Sequence, residues 1–135
     1  MAAGTDAIWL WVDEHLGSAG TVIPIGFSQG GLMATQLLRT RPDRVTGTVV
    51  LGGFVQASAQ PGDGTLAARR PPLFWGRGAD DRVITPDAVR RTAAWLPAHS
   101  TLTERVYDGL GHGIDATEMD DVRRFLTDGV TTVSG

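Results

Sequence analysis

The sequence contains no cysteine and no lysine. Without cysteine there is no disulfide framework, no thiolate zinc site and no thiol nucleophile, and the redox compartment stays undecided. All 12 basic residues are arginines, never more than two in a row, and against 15 acidic residues they leave a net charge of -3. That sign and that scatter argue against nucleic acid or an anionic membrane surface as a partner. Long apolar runs are absent too. No stretch approaches the ~20 residues of a membrane span, and the start MAAGTDAIWLWVDEHLG interleaves Asp6, Asp13 and Glu14 with its apolar positions, unlike a secretory signal. A cytoplasmic protein with no membrane span is the expectation. What is present is the composition of an ordinary globular chain, 41% hydrophobic and 20% charged over 135 residues. That length supports one domain, 1–135, with a real core.

Along the chain, hydrophobic periodicity alternates between helical and strand-like. Ala7, Ile8, Trp11, Val12, His15 and Leu16 recur at helical spacing, with Asp6 for the first turn and Gly17 as a stop, predicting a helix over 5–16. The β-branched run at 21–27 predicts a buried strand, against which Pro24 counts because it cannot donate to a ladder. A helix follows at once over 30–40. Further strands are predicted over 45–54, 71–76 and 101–107. A helix opens at Pro86 and is expected to end at Pro97, and another is capped by the Thr117 and Asp120 pattern. The segment 55–70 has little periodicity and is expected to be one long loop. Strands separated by helices imply a parallel sheet covered on both faces, hence an α/β fold of about four strands.

Three places in this frame carry chemistry. Gly26-Phe27-Ser28-Gln29-Gly30 is a G-x-S-x-G element between a strand and a helix. A serine at such a turn is forced into a strained conformation that presents its oxygen, and the next N–H, that of Gln29, stands at a helix N-terminus where it can hold an oxyanion. Taken alone the pattern is moderate, since a glycine-rich turn can hold a serine without a role. A serine hydroxyl needs a base, and the base needs an orienting carboxylate. Of the three histidines, His112 follows the last strand in a glycine-rich turn, where an α/β sheet presents functional groups; His15 and His99 have no special setting. The acid belongs at another strand end between Ser28 and His112. Asp81 is chosen over its neighbour Asp80, and spacing alone does not separate the two. Each feature has an ordinary structural alternative, but three such coincidences, each at a strand end and in the same chain order, weigh against that alternative. A cation held by His112, Asp115 and Asp80 or Asp81 lacks a recognisable ligand spacing. Neither phosphate-loop pattern is present, so nucleotide binding is disfavoured.

The motifs Gly26-Phe27-Ser28-Gln29-Gly30-Gly31, Gly78-Ala79-Asp80-Asp81-Arg82-Val83-Ile84 and Tyr107 followed by Gly111-His112 resemble those of the phospholipase/carboxylesterase family, which includes the acyl-protein thioesterases. The resemblance covers nearly the whole chain. It implies the C-terminal part of an α/β-hydrolase fold, with Ser28 as nucleophile, Asp81 as the acid, His112 as base and Gln29 N–H as an oxyanion donor. The implied substrates are small esters or thioesters, with no metal or organic cofactor. Two departures qualify it. In the family further strands precede this point and an early loop supplies a second oxyanion donor, so here the strand bearing Ser28 is expected at or near an open, apolar edge that invites a homodimer. Trp75 stands before Gly76 where the family often has histidine, and is read as packing. Acyl-chain contacts are expected from 55–70, with Leu66 and Phe54 as test positions, and from the helix after Pro86. The competing readings are a catalytically impaired half-domain that needs a partner, and peptidase or acyltransferase chemistry on the same fold.

Overall fold

The structure, a computed structural model, describes residues 2–130; Met1 and residues 131–135 of the expected single domain lie outside the described residues. Four strands form one parallel sheet in the order β1-β2-β3-β4: β1 Ile25–Phe27, β2 Thr48–Leu51, β3 Pro72–Gly78 and β4 Thr101–Tyr107. Five α-helices accompany them, α1 Ala2–Leu16, α2 Gln29–Thr40, α3 Asp63–Arg69, α4 Pro86–His99 and α5 Ala116–Arg124, the last continuing into a wider turn over Phe125–Val130. Sequence order equals spatial order, and because every pair is parallel, each strand end with its following loop lies at the same edge of the sheet.

The two central strands are apolar on both faces because both are covered. Val50, Leu73 and Trp75 enter one core with Trp9 and Val12 of α1, Leu37 and Leu38 of α2, Leu66 of α3 and Leu96 of α4. Val49, Leu51 and Phe74 point the other way, against Val122, Phe125 and Val130. The alternation of side chains along each strand thus assigns four helices to one face and α5 with its continuation to the other. Among the described residues β1 is an edge of the sheet, with Ile25 54% and Phe27 37% exposed.

Local details depart from the sequence expectations in five places. β1 is only three residues long; Pro24 precedes it and still accepts from Val49 N–H through its carbonyl, and Val22 makes an isolated bridge to Val45. β2 stops at Leu51 because Gly52 turns the chain at φ 56°. Pro97 does not end α4. The helix runs to His99: Pro97 withholds only the one N–H that would have gone to Ala93 O, and the last-turn carbonyls at Trp95 and Leu96 take bonds from His99 Nδ1 and Ser100 Oγ. The cap of α5 is Asp115, whose Oδ1 accepts from Glu118 N–H at 2.9 Å; Thr117 lies inside the helix.

The expected loop 55–70 contains a helix, α3, and is tied down from beneath. Arg39, 1% exposed, holds both carboxylate oxygens of Asp63 at 2.9 and 2.8 Å and reaches the carbonyls of Gln56 and Ser58, with its guanidinium 4.5 Å from the Trp95 ring. The two-pronged geometry suits a planar guanidinium against a carboxylate.

Candidate active site

Ser28 occupies the tight turn between β1 and α2 with φ 59° and ψ −119°, a left-sided conformation costly for a residue with a Cβ. Its N–H donates to Leu51 O at 2.8 Å, and its carbonyl accepts from Gly31 and Leu32, so both strand and helix clamp the strained residue. Gly26 is the glycine this geometry requires: a Cβ there would overlap the carbonyl of Gly30. Gln29 opens α2, so its N–H has no acceptor within the helix.

His112 comes from the loop after β4 and lies over Gly52, whose φ of 56° is the backbone conformation that favours glycine there. Its Nε2 is 2.8 Å from Ser28 Oγ and its Nδ1 is 2.7 Å from Asp81 Oδ2, across 84 and 31 residues of sequence. The tautomer this network implies places the proton on Nδ1, which donates to Asp81, while Nε2 accepts from the serine hydroxyl. The Phe27 ring stands 4.8 Å from the imidazole centroid on the other side.

Asp81 sits in the turn after β3. Burial pushes its carboxyl pKa up, but hydrogen bonds from His112 and from the N–H groups of Val83 and Ile84 outweigh this and hold it below the usual carboxylate value. Its Oδ1 takes both backbone bonds and its Oδ2 takes the histidine, so the two oxygens have separate duties. Asp80, the alternative acid, is exposed and is tied in through its backbone N–H to Leu110 O, not through its carboxylate. The β3 turn and the histidine loop are closely apposed: Ala79 N–H donates to Tyr107 O, and a Cβ on Gly78 would overlap the carbonyl of Leu110.

The structure therefore brings the Ser28, His112 and Asp81 side chains, in that order, each within hydrogen-bond distance of the next, and Gln29 follows Ser28 as the first residue of α2. His15 and His99 are elsewhere, each bonded to the carbonyl four residues earlier on its own helix. Trp75 is fully buried and donates through Nε1 to Gly53 O, a packing role. Leu66 is fully buried in the core, so it does not face a substrate; Phe54 is half-buried. A small cleft behind the relay is lined by Gly52, Gly53, Asp81, Ile84 and Val89, the last on α4. Sequence reasoning missed Phe27 and Gly52 as neighbours of the imidazole. It also missed Glu118, although spacing of 118, 122 and 125 placed this acid on the apolar face of α5.

The chain matches the Phospholipase/Carboxylesterase family over residues 5–129. It is 28% identical over 103 residues to the carboxylesterase SOBER1 of Arabidopsis thaliana, covering 75% of this chain and 45% of that protein. With acyl-protein thioesterase 1 of Debaryomyces hansenii it shares 26% identity over 120 residues, 87% of this chain and 52% of the relative. The crystal structure of Arabidopsis SOBER1 superposes with a TM-score of 0.75 at 22% identity, covering 93% of this chain and 62% of that one, a likeness of fold. The chain thus spans about half the length of the curated relatives it matches. On a match running through nearly all of its residues, this chain belongs to the phospholipase/carboxylesterase family.

Proposed function

We propose that this chain carries the reaction centre of a serine hydrolase that cleaves carboxylic esters or thioesters of modest size. The observation that supports this most directly is the continuous relay from Ser28 Oγ through His112 to Asp81, with both links at hydrogen-bond distance. In this reading His112 Nε2 takes the Ser28 proton as Oγ attacks the acyl carbonyl, and Asp81 stabilises the imidazolium without taking its proton. The carbonyl oxygen, now negative, faces the Gln29 N–H. Collapse of the tetrahedral species expels the alcohol or thiol, to which His112 returns the proton. Water, deprotonated by the same histidine, then attacks the acyl-enzyme and restores Ser28. Ile84 and Val89 in the adjacent cleft are the apolar groups best placed to touch an acyl chain.

Intact-mass analysis after exposure to a fluorophosphonate tests the reading. A single adduct on the wild-type chain that disappears in Ser28→Ala and His112→Ala is the expected result; no adduct on the folded chain refutes it.

A second reading is a half-domain whose activity requires more polypeptide. It is favoured by the exposed β1 edge, where Ile25 and Phe27 lie uncovered. Loss of one oxyanion donor costs about 3 to 4 kcal/mol of transition-state stabilisation. Pairing of two copies along β1 is the oligomer this edge suggests, and analytical ultracentrifugation distinguishes it: a dimer dissociated by Ile25→Lys supports edge pairing, and a wild-type monomer refutes it.

A further inference from the structure

Glu118 is fully buried, and neither carboxylate oxygen has a hydrogen-bond partner. It projects from the first turn of α5 onto β3 at Gly76, where a Cβ would overlap its Oε2. Gly76 is thus the notch and Glu118 the peg. Stability alone favours an apolar side chain at such a place, because a buried polar group without a partner costs free energy. The location suggests what the cost serves. α5 starts four residues after His112, capped by Asp115, and the same β3 strand receives the histidine loop at Gly78, where the carbonyls of Leu110 and Gly111 leave no space for a Cβ. Helix and loop are therefore indexed on β3 at two glycines two residues apart.

We propose that Glu118 is a positioning residue for His112, the peg that fixes where α5 and the loop in front of it rest on β3, and that it does so as the uncharged acid. This rests on the relay reading above. The groups around it oppose ionisation. Asp115 caps its helix and Asp121 lies on it, β3 sets Gly76 and Phe74 beside it while Arg77 of that strand lies over the Trp75 ring and toward Glu104, and on β4 the Tyr107 hydroxyl donates to Asp121 while Arg105 bonds the Glu104 carbonyl. Burial first, then Asp115 and Asp121, push the Glu118 pKa up to about 7. Above that range the charged side chain is driven from the notch, and the imidazole loses its registration with Ser28 Oγ.

The test is the rate of fluorophosphonate labelling of Ser28 in the full chain at pH 6 and pH 8.5, for wild type, Glu118→Gln and Glu118→Ala, with circular dichroism as a fold check. Glu118→Gln, similar in size and never charged, should match wild type at pH 6 and exceed it at pH 8.5 by about tenfold. Glu118→Ala should be slower at both pH values by about 10- to 100-fold, as expected for a misplacement near 1 Å. Superimposable pH profiles for wild type and Glu118→Gln overturn the proposal, as does a wild-type rate in Glu118→Ala. If wild type is not labelled at Ser28, the relay reading itself fails; labelling in wild type with no effect of position 118 removes the peg alone.

Discussion

Exchanging Asp81 for asparagine alters charge and proton placement while hardly altering shape, and the structure dictates how the new amide must sit. Val83 and Ile84 N–H both donate to Oδ1, so the amide oxygen of asparagine has to take that position. Its NH2 group then faces His112 Nδ1 at the place where Oδ2 now lies 2.7 Å away. Two donors cannot face each other, so Nδ1 gives up its proton and Nε2 carries it. The ring then donates toward Ser28 Oγ and is no longer a base. Loss of the correct tautomer is worth about 10⁴-fold in acyl transfer, or about 5 kcal/mol of barrier. The assay is the second-order rate of Ser28 labelling by a fluorophosphonate, followed by intact mass, with thermal denaturation to show that Asp81→Asn remains folded. Asp80→Asn, altering an exposed carboxylate, serves as the control and should stay within about twofold, the usual range for a surface change. A rate for Asp81→Asn within tenfold of wild type, or a collapse in Asp80→Asn, would refute the assignment.

Gly26→Ala should abolish labelling and lower the melting temperature, since its Cβ meets the backbone of Gly30 and Gly31 and no side chain can yield. Arg39→Met keeps the stem but leaves Asp63 with only the Gln60 N–H and removes a donor from the Gln56 and Ser58 carbonyls; chemical denaturation should show a loss of about 1 to 3 kcal/mol, the cost of leaving such groups short of partners. The raised Glu118 pKa implies that the folded state holds a proton the unfolded chain releases between its ordinary 4.5 and about 7. Its contribution is therefore fully present below pH 4.5 and lost as pH rises to 7, by up to about 3 kcal/mol. The stability difference between wild type and Glu118→Gln should follow that curve, and a difference constant from pH 4.5 to 7 would contradict it. Phe27→Leu should weaken the packing on the imidazole and slow labelling modestly, by about 3- to 10-fold, with aromatic contacts worth about 0.5–1.5 kcal/mol; an unchanged rate would deny the ring that role.

The sheet was legible because its signals are the strong ones: Val49-Val50-Leu51 and Leu73-Phe74-Trp75 are unbroken apolar runs with helical patterns between them. Ser28, Asp81 and His112 were legible for a different reason. Each follows a strand end, and parallel order places all such ends together. What escaped notice depended on contacts remote in sequence. α3 carries one core side chain, Leu66, over seven residues, too few for a helical period, and is held by Arg39 from another element. The reach of α4 past Pro97 rests on two side-chain bonds to last-turn carbonyls that periodicity does not encode. Choice between Asp80 and Asp81 needed the direction of a side chain, which spacing does not carry.

The sequential order of the strands has a consequence for the newly made chain. Ser28 precedes Asp81 in the chain and His112 follows β4, so in the proposed reading the nucleophile is made before its acid and its base. The contact that activates it spans 84 residues and depends on long-range pairings, the kind of closure that forms late and cooperatively in folding. An incompletely synthesised or unfolded chain therefore holds an ordinary, unreactive serine. If Ser28 is the nucleophile as proposed, its labelling by a fluorophosphonate becomes a chemical clock for completion of the sheet, timing the moment at which β4 docks.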